Sequence, residues 1–150
     1  MKLEDEIKQG KAFTNEYSKI IVNLIYTYNW LESTTKAFFT KYDLTSQQYN
    51  ILRILRGQHP SPATINLLRE RMLDKMCDAS RLVERLRIKG LVERNQSLED
   101  KRAVDIVITQ KGLELLSSIA GNMPEYESIL QTLTLEEAES LNNLLDKLRG

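Results

Sequence analysis

The chain has 150 residues, 41% hydrophobic and 28% charged, an ordinary balance for a soluble globular domain, and no apolar run approaches the length of a membrane span. Its formal net charge is zero, but ten Lys/Arg stand against seven Asp/Glu between Pro60 and Arg102, and three against seven from Gln110 to Gly150. A basic middle and an acidic C-terminal segment suggest one face for a polyanion and another for something else, although merely solvated helix faces give the same tally. Cys77 is the single cysteine, which excludes an intrachain disulfide and fits a reducing, cytoplasmic setting. The acidic start, Met1 to Glu6, has no apolar core of a signal peptide.

With 6 Gly and 3 Pro, the chain favours long elements and few loops. Tyr17 to Tyr42 reads as one long helix, with Tyr17, Ile20, Ile21, Leu24, Tyr28, Leu31, Thr35 and Phe38 at spacings of three or four. Ile25, Trp30 and Phe39 widen its apolar surface, so cover is needed on more than one side; a partner subunit supplies it, or the helix is central to the core. Thr45 and Gln48 form a capping-box pattern with Leu44 and Tyr49 at the staple positions, and the helix that follows is expected to close at Gly57. His59 sits beside no second cluster of ligand-type residues and reads as solvated.

Thr64 is placed to cap a short helix, Ile65 to Arg71, burying Leu67 and Leu68, with Met72 and Leu73 packing the turn after it. Asp74 is expected to cap a longer helix, Lys75 to Lys89, that buries Ala79, Leu82, Val83 and Leu86 and ends at Gly90. Leu91–Arg94 and Val104–Ile108 have strand character, and the charged loop Gln96 to Arg102 joins them. Thr109 can cap the next helix, which Pro124 is expected to interrupt or kink. Thr134 to Glu137 is a second capping box, and Leu141, Leu144, Leu145 and Leu148 recur at helical spacing beyond it.

Helix, turn, helix and charged hairpin is the layout of a winged helix-turn-helix. The strings Leu44-Thr45-Ser46-Gln47-Gln48-Tyr49, Ser80-Arg81-Leu82-Val83-Glu84-Arg85-Leu86, Lys89-Gly90-Leu91-Val92-Glu93-Arg94, Asp100-Lys101-Arg102-Ala103 and Ile108-Thr109-Gln110-Lys111-Gly112 follow in an order and spacing that resemble the MarR family of bacterial transcriptional regulators. The resemblance covers Leu44 to Leu116; the flanking helices agree in pattern only. It implies a mainly α fold, a single structural domain overall: an N-terminal dimerisation helix over 1–43, a winged helix-turn-helix lobe with a small β-hairpin wing over 44–110, and C-terminal dimerisation helices over 111–150. It further implies a homodimer reading a palindromic operator on double-stranded DNA, often with a pocket for a small-molecule effector.

Residue roles follow from this frame. The resemblance places Arg102 in the minor groove, where the negative potential of a narrowed groove draws a guanidinium, and makes Asp100 the acid that pins the wing or orients that arginine. Arg81 is the candidate base reader, since arginine bonds guanine O6 and N7 together, and Ser80 and Lys75 are candidates for base-edge or phosphate contact. Asp78 is open between accepting from cytosine N4, holding Arg81, and facing solvent beside the groove. Arg94 and Lys101 read as phosphate contacts. Cys77 reads either as a thiol sensor in a helix first turn or as a small residue there. Tyr26, Tyr28, Trp30, Tyr42 and Tyr49 belong to core, dimer interface or effector pocket. A winged helix that binds protein rather than DNA is the alternative, against which the basic residues Arg81, Lys101 and Arg102 argue. An enzyme is not expected, for no nucleophile–base pair, metal-ligand spacing or phosphate-binding glycine loop stands out; no cofactor or metal is expected either.

Overall fold

Asn15 starts the first long helix. Its side-chain oxygen accepts from the Ser18 amide at 2.9 Å, closing one of the amides that a helix start leaves open. In the computed structural model, which describes Met1–Gly150, this helix is α2 (Glu16–Thr40), and a single turn, α1 (Leu3–Glu6), precedes it. Contacts divide the chain into two units, Met1–Ser46 and Gln47–Gly150. Within the first, the Lys19 ammonium reaches the Glu4 carboxylate at 2.7 Å, which ties α1 to α2 and holds that carboxyl below its ordinary range. Phe38 packs edge-on against Phe39 and tilted against Tyr42, fixing the C-terminal end of α2. Further back, Tyr17, Ile21, Ile25, Tyr28 and Trp30 are exposed, so the chain does not cover this helix all round.

The second unit is built on α3 (Ser46–Gln58), α4 (Ile65–Arg71), α5 (Ala79–Ile88), β1 (Val92–Gln96), β2 (Val104–Ile108), α6 (Gln110–Glu127), a 3₁₀ turn (Ser128–Leu130) and α7 (Leu135–Arg149). Ile51, Leu52 and Leu55 of α3 and Ala79, Val83 and Leu86 of α5 are buried at helical spacing, so each of these two helices turns one stripe into the core, and α4 adds Leu68. Ile106, Ile108, Leu116 and Ile119 are buried with them. The strands form an antiparallel hairpin in the register Val92↔Ile108, Arg94↔Ile106 and Gln96↔Val104. Ala63 extends this hairpin by pairing both ways with Ile106, at 2.8 and 2.9 Å, and so anchors the start of α4 to β2.

Thr64, Thr109 and Thr134 cap their helices as the sequence leads one to expect, and the Thr134–Glu137 capping box is complete. Several boundaries differ. Gly57 does not close α3, because its backbone is not left-handed; the helix runs on to Gln58 and stops ahead of Pro60, which has no amide to extend the ladder. Pro124 does not interrupt α6, which continues to Glu127 before tightening into the 3₁₀ turn, where the Ser128 amide donates to the Pro124 carbonyl. The first strand starts one residue later and ends two residues later than its hydrophobic run, because the polar residues Asn95 and Gln96 also pair across the hairpin. Leu67 is only partly buried, and Leu73 does not pack its turn but stands exposed. No helix is long and apolar enough to cross a membrane.

Candidate nucleic-acid interface

The helix after the turn begins at Ala79, not at Lys75, and its cap is Asp78, not Asp74. Asp78 holds an extended backbone, and its Oδ1 accepts from the Arg81 amide at 3.2 Å. Asp74 makes a tight turn of its own four residues earlier, where its Oδ1 accepts from the Met76 amide at 2.9 Å. Both are aspartates before an amphipathic run, and local pattern does not separate them; the extended conformation at Asp78 does. Asp78 is exposed, and the bond it makes to Arg81 is this cap to the main-chain amide rather than a bond to the guanidinium.

This shift moves several candidates. Ser80 and Arg81 lie exposed in the first turn of α5, Ser80 on the flank and Arg81 opposite the buried stripe of Ala79, Val83 and Leu86. Lys75 lies in the turn, and its ammonium donates to the Glu70 carbonyl in the last turn of α4, where a cation meets the negative end of a helix. Cys77 also lies in the turn, outside any helix first turn, and is partly buried. Burial pushes its thiol pKa up, and the carboxylates of Asp74 and Asp78 push it further the same way. That is the reverse of an activated thiol.

The wing tip is held by a mesh of short-range bonds. Gln96 Nε2 donates to the Lys101 carbonyl at 2.7 Å, and the Ser97 amide donates to the Ala103 carbonyl at 3.1 Å. Ser97 Oγ accepts from the amides of Glu99 and Asp100, and Asp100 Oδ1 accepts from the Arg102 amide at 2.9 Å. Asp100 therefore pins the tip through the main chain of Arg102 and leaves the guanidinium exposed, as Lys101 is. Ser97, nearly buried, is the residue here that the sequence did not single out; its position at the start of a strand-to-loop turn was the available signal.

Helix α5 and the hairpin are joined through Glu84. Its carboxylate takes two bonds from Arg87, at 2.9 and 2.7 Å, and lies 3.8 Å from the Arg94 guanidinium on β1. The paired cations hold Glu84 below the usual carboxylate range, Arg87 contributing most. The C-terminal end of α5 is clamped to α6: Thr109 Oγ1 donates to the Gly90 carbonyl at 2.7 Å while accepting from the Gly112 amide, and Lys111 Nζ donates to the Lys89 carbonyl at 2.8 Å. Gly90 makes the reversal between them at a φ of 74°.

Two helices joined by a pinned turn, with a two-stranded hairpin behind the second, define a winged helix-turn-helix. Residues 44–104 match the model of the MarR family. Over those residues the chain is similar to that family, and its fold is that of solved MarR-family transcription regulators. Among solved structures it is similar to a MarR transcription factor from Planctomyces limnophilus (27% identity, covering 92% of this chain and 98% of that one, TM-score 0.69). It is also similar to a cysteine-to-serine mutant of MarR from E. coli complexed with operator DNA (23%, 99% and 99%, TM-score 0.74). A third is the organohalide-sensing RdhR-CbdbA1625 transcriptional regulator in its 2,4-dichlorophenol-bound form (21%, 94% and 85%, TM-score 0.82). A sequence comparison with curated proteins gives no match.

Proposed function

We propose that the protein is a dimeric, sequence-specific DNA-binding transcription regulator of the cytoplasm, a repressor that binds a palindromic operator and releases it when a small molecule binds. The observation that carries this reading is the pairing, in one unit, of a helix whose exposed first turn bears Ser80 and Arg81 with a wing whose tip is pinned so that Arg102 projects. The helix fits the major groove, where Arg81 reads a guanine edge, and the wing reaches the adjacent minor groove with Arg102. Lys75, Arg94 and Lys101 supply phosphate contacts, which set affinity and salt dependence rather than sequence. Asp78 and Asp100 serve as the caps that aim Arg81 and Arg102. The relatives solved with operator DNA and with a bound chlorophenol support the DNA and effector parts of the reading.

The test is a fluorescence-anisotropy titration, at fixed salt, on duplexes from the region upstream of its own gene and of neighbouring genes. Arg102→Ala is expected to weaken binding about tenfold or more, in line with the ~1–3 kcal/mol of a groove-reading arginine. Unchanged affinity removes Arg102 from the interface, and the absence of any shift at low salt removes the DNA-binding reading.

A further inference from the structure

The exposed large apolar side chains of this chain fall into groups. Most lie on α2 and on the segment from Leu130 to Leu148. Apart from these, Met1 and Ile88, the group consists of Leu73 (86% exposed), Met76 (93%) and Leu98 (100%). All three sit on the proposed DNA-facing parts, two in the turn before α5 and one at the wing tip.

Met76 is presented by a backbone that is fixed on both sides. The Leu73 amide donates to Asn50 Oδ1 at 2.9 Å, the Met76 amide donates to Asp74 Oδ1 at 2.9 Å, and Gln47 Nε2 reaches Asp74 Oδ2 at 3.5 Å. Two residues on, Asp78 caps α5. The turn is thus held to α3 and to the recognition helix, and the side chain of Met76 is turned outward. The same segment carries the exposed cations Arg71, Lys75, Arg81 and Arg85 beside the exposed carboxylates Glu70, Asp74 and Asp78; on the DNA-binding reading, what lies against Met76 is a polyanion with an apolar feature within reach of a recognition helix. The thymine C5-methyl in a major groove is such a feature, and thioether side chains adapt to irregular apolar partners.

We propose that Met76 is a specificity-determining residue that packs on a thymine methyl beside the bases read by Arg81; the inference rests on the DNA-binding reading above. It adds an apolar contact to a site otherwise made of charges and hydrogen bonds. It also accounts for an exposed methionine kept on a pinned turn.

The experiment begins with operator duplexes selected in vitro by the wild-type protein. Each thymine is then replaced singly by deoxyuracil, which removes only the methyl, and affinity is measured by anisotropy at fixed salt. One thymine in each half-site is expected to show a loss of about fourfold, the worth of one methyl-sized group taken from water. Met76→Ala is expected to abolish that difference and Met76→Leu to retain it. Sensitivity to uracil that Met76→Ala leaves intact, or a wild-type protein indifferent to every replacement, overturns the inference while leaving DNA binding standing. A wild-type protein that selects no duplex overturns both.

Discussion

Asp78 shows how much depends on which of two aspartates closes a helix. Its carboxylate satisfies the Arg81 amide, so Asp78→Ala leaves the start of α5 with an open donor and is expected to cost about 1 kcal/mol in urea unfolding. Asp78→Asn keeps the accepting oxygen and is expected to hold most of that stability. A changed base preference for Asp78→Asn with stability unchanged would instead make the carboxylate a reader of cytosine. At the neighbouring position, burial together with Asp74 and Asp78 raises the Cys77 pKa, so less thiolate is present at neutral pH than in free cysteine. Alkylation by iodoacetamide at pH 7 is expected to be slower than that of free cysteine. A faster rate would restore a sensing role, as would DNA release on peroxide treatment that Cys77→Ser abolishes. The sequence could not rank these roles, because both turn on where a helix begins, and a four-residue shift moved Cys77 from the first turn of a helix to the turn before it.

At the scale of elements, the joint between α5, the hairpin and α6 is tight enough to predict from. A Cβ on Gly112 would lie 2.5 Å from the Leu91 carbonyl and 2.6 Å from Ile108 Cγ1, and the first of these is backbone that cannot swing aside. Gly112→Ala is expected to destabilise the fold by roughly 1–3 kcal/mol, as overpacking does, despite the better helix propensity of alanine. A raised or unchanged melting temperature would show that the joint yields. The Glu84 pairing gives a pH dependence of definite sign. A lowered carboxyl pKa contributes stability that is present above the ordinary glutamate range and lost as pH falls through the folded-state value. Arg87→Ala should therefore flatten the acid side of a stability–pH curve, modestly, since the pair is exposed. These elements were largely legible beforehand: threonine caps, a glycine reversal and alternating Val104, Ile106 and Ile108 are local signals. What was not legible was long-range. The bridge from Ala63 to Ile106, the clamp of Lys111 on the Lys89 carbonyl, and the Gly112 approach each join residues at least nineteen apart or depend on a side chain that is missing. Strand β1 shows the same limit, because Asn95 and Gln96 have no strand pattern and pair only because β2 is opposite them.

At the scale of the whole molecule, the apolar side chains that the chain leaves in water argue for the proposed dimer. On α7, Leu141, Leu144 and Leu148 are exposed at intervals of three and four, one stripe along a helix otherwise rich in Glu and Asn. Burying a leucine fully is worth about 1.5–3 kcal/mol, so such a stripe favours association with a like stripe, and a twofold pairing of identical surfaces closes without growing further. A symmetric dimer also suits the proposed operator, because two recognition helices set about 34–36 Å apart meet successive turns of one groove. The double variant Leu141→Asp/Leu148→Asp places charges on that stripe and touches neither α5 nor the wing. Sedimentation velocity is expected to show a dimer for the wild-type protein and a monomer for the variant, with helical content retained. Affinity for a full operator should fall by about a hundredfold or more, because two linked contacts become independent ones, while affinity for a single half-site stays the same. A variant that remains dimeric would place the interface elsewhere, with the exposed face of α2 as the next candidate. A monomeric variant that keeps full operator affinity would mean that each lobe reads DNA alone and that the palindrome has no counterpart in the protein.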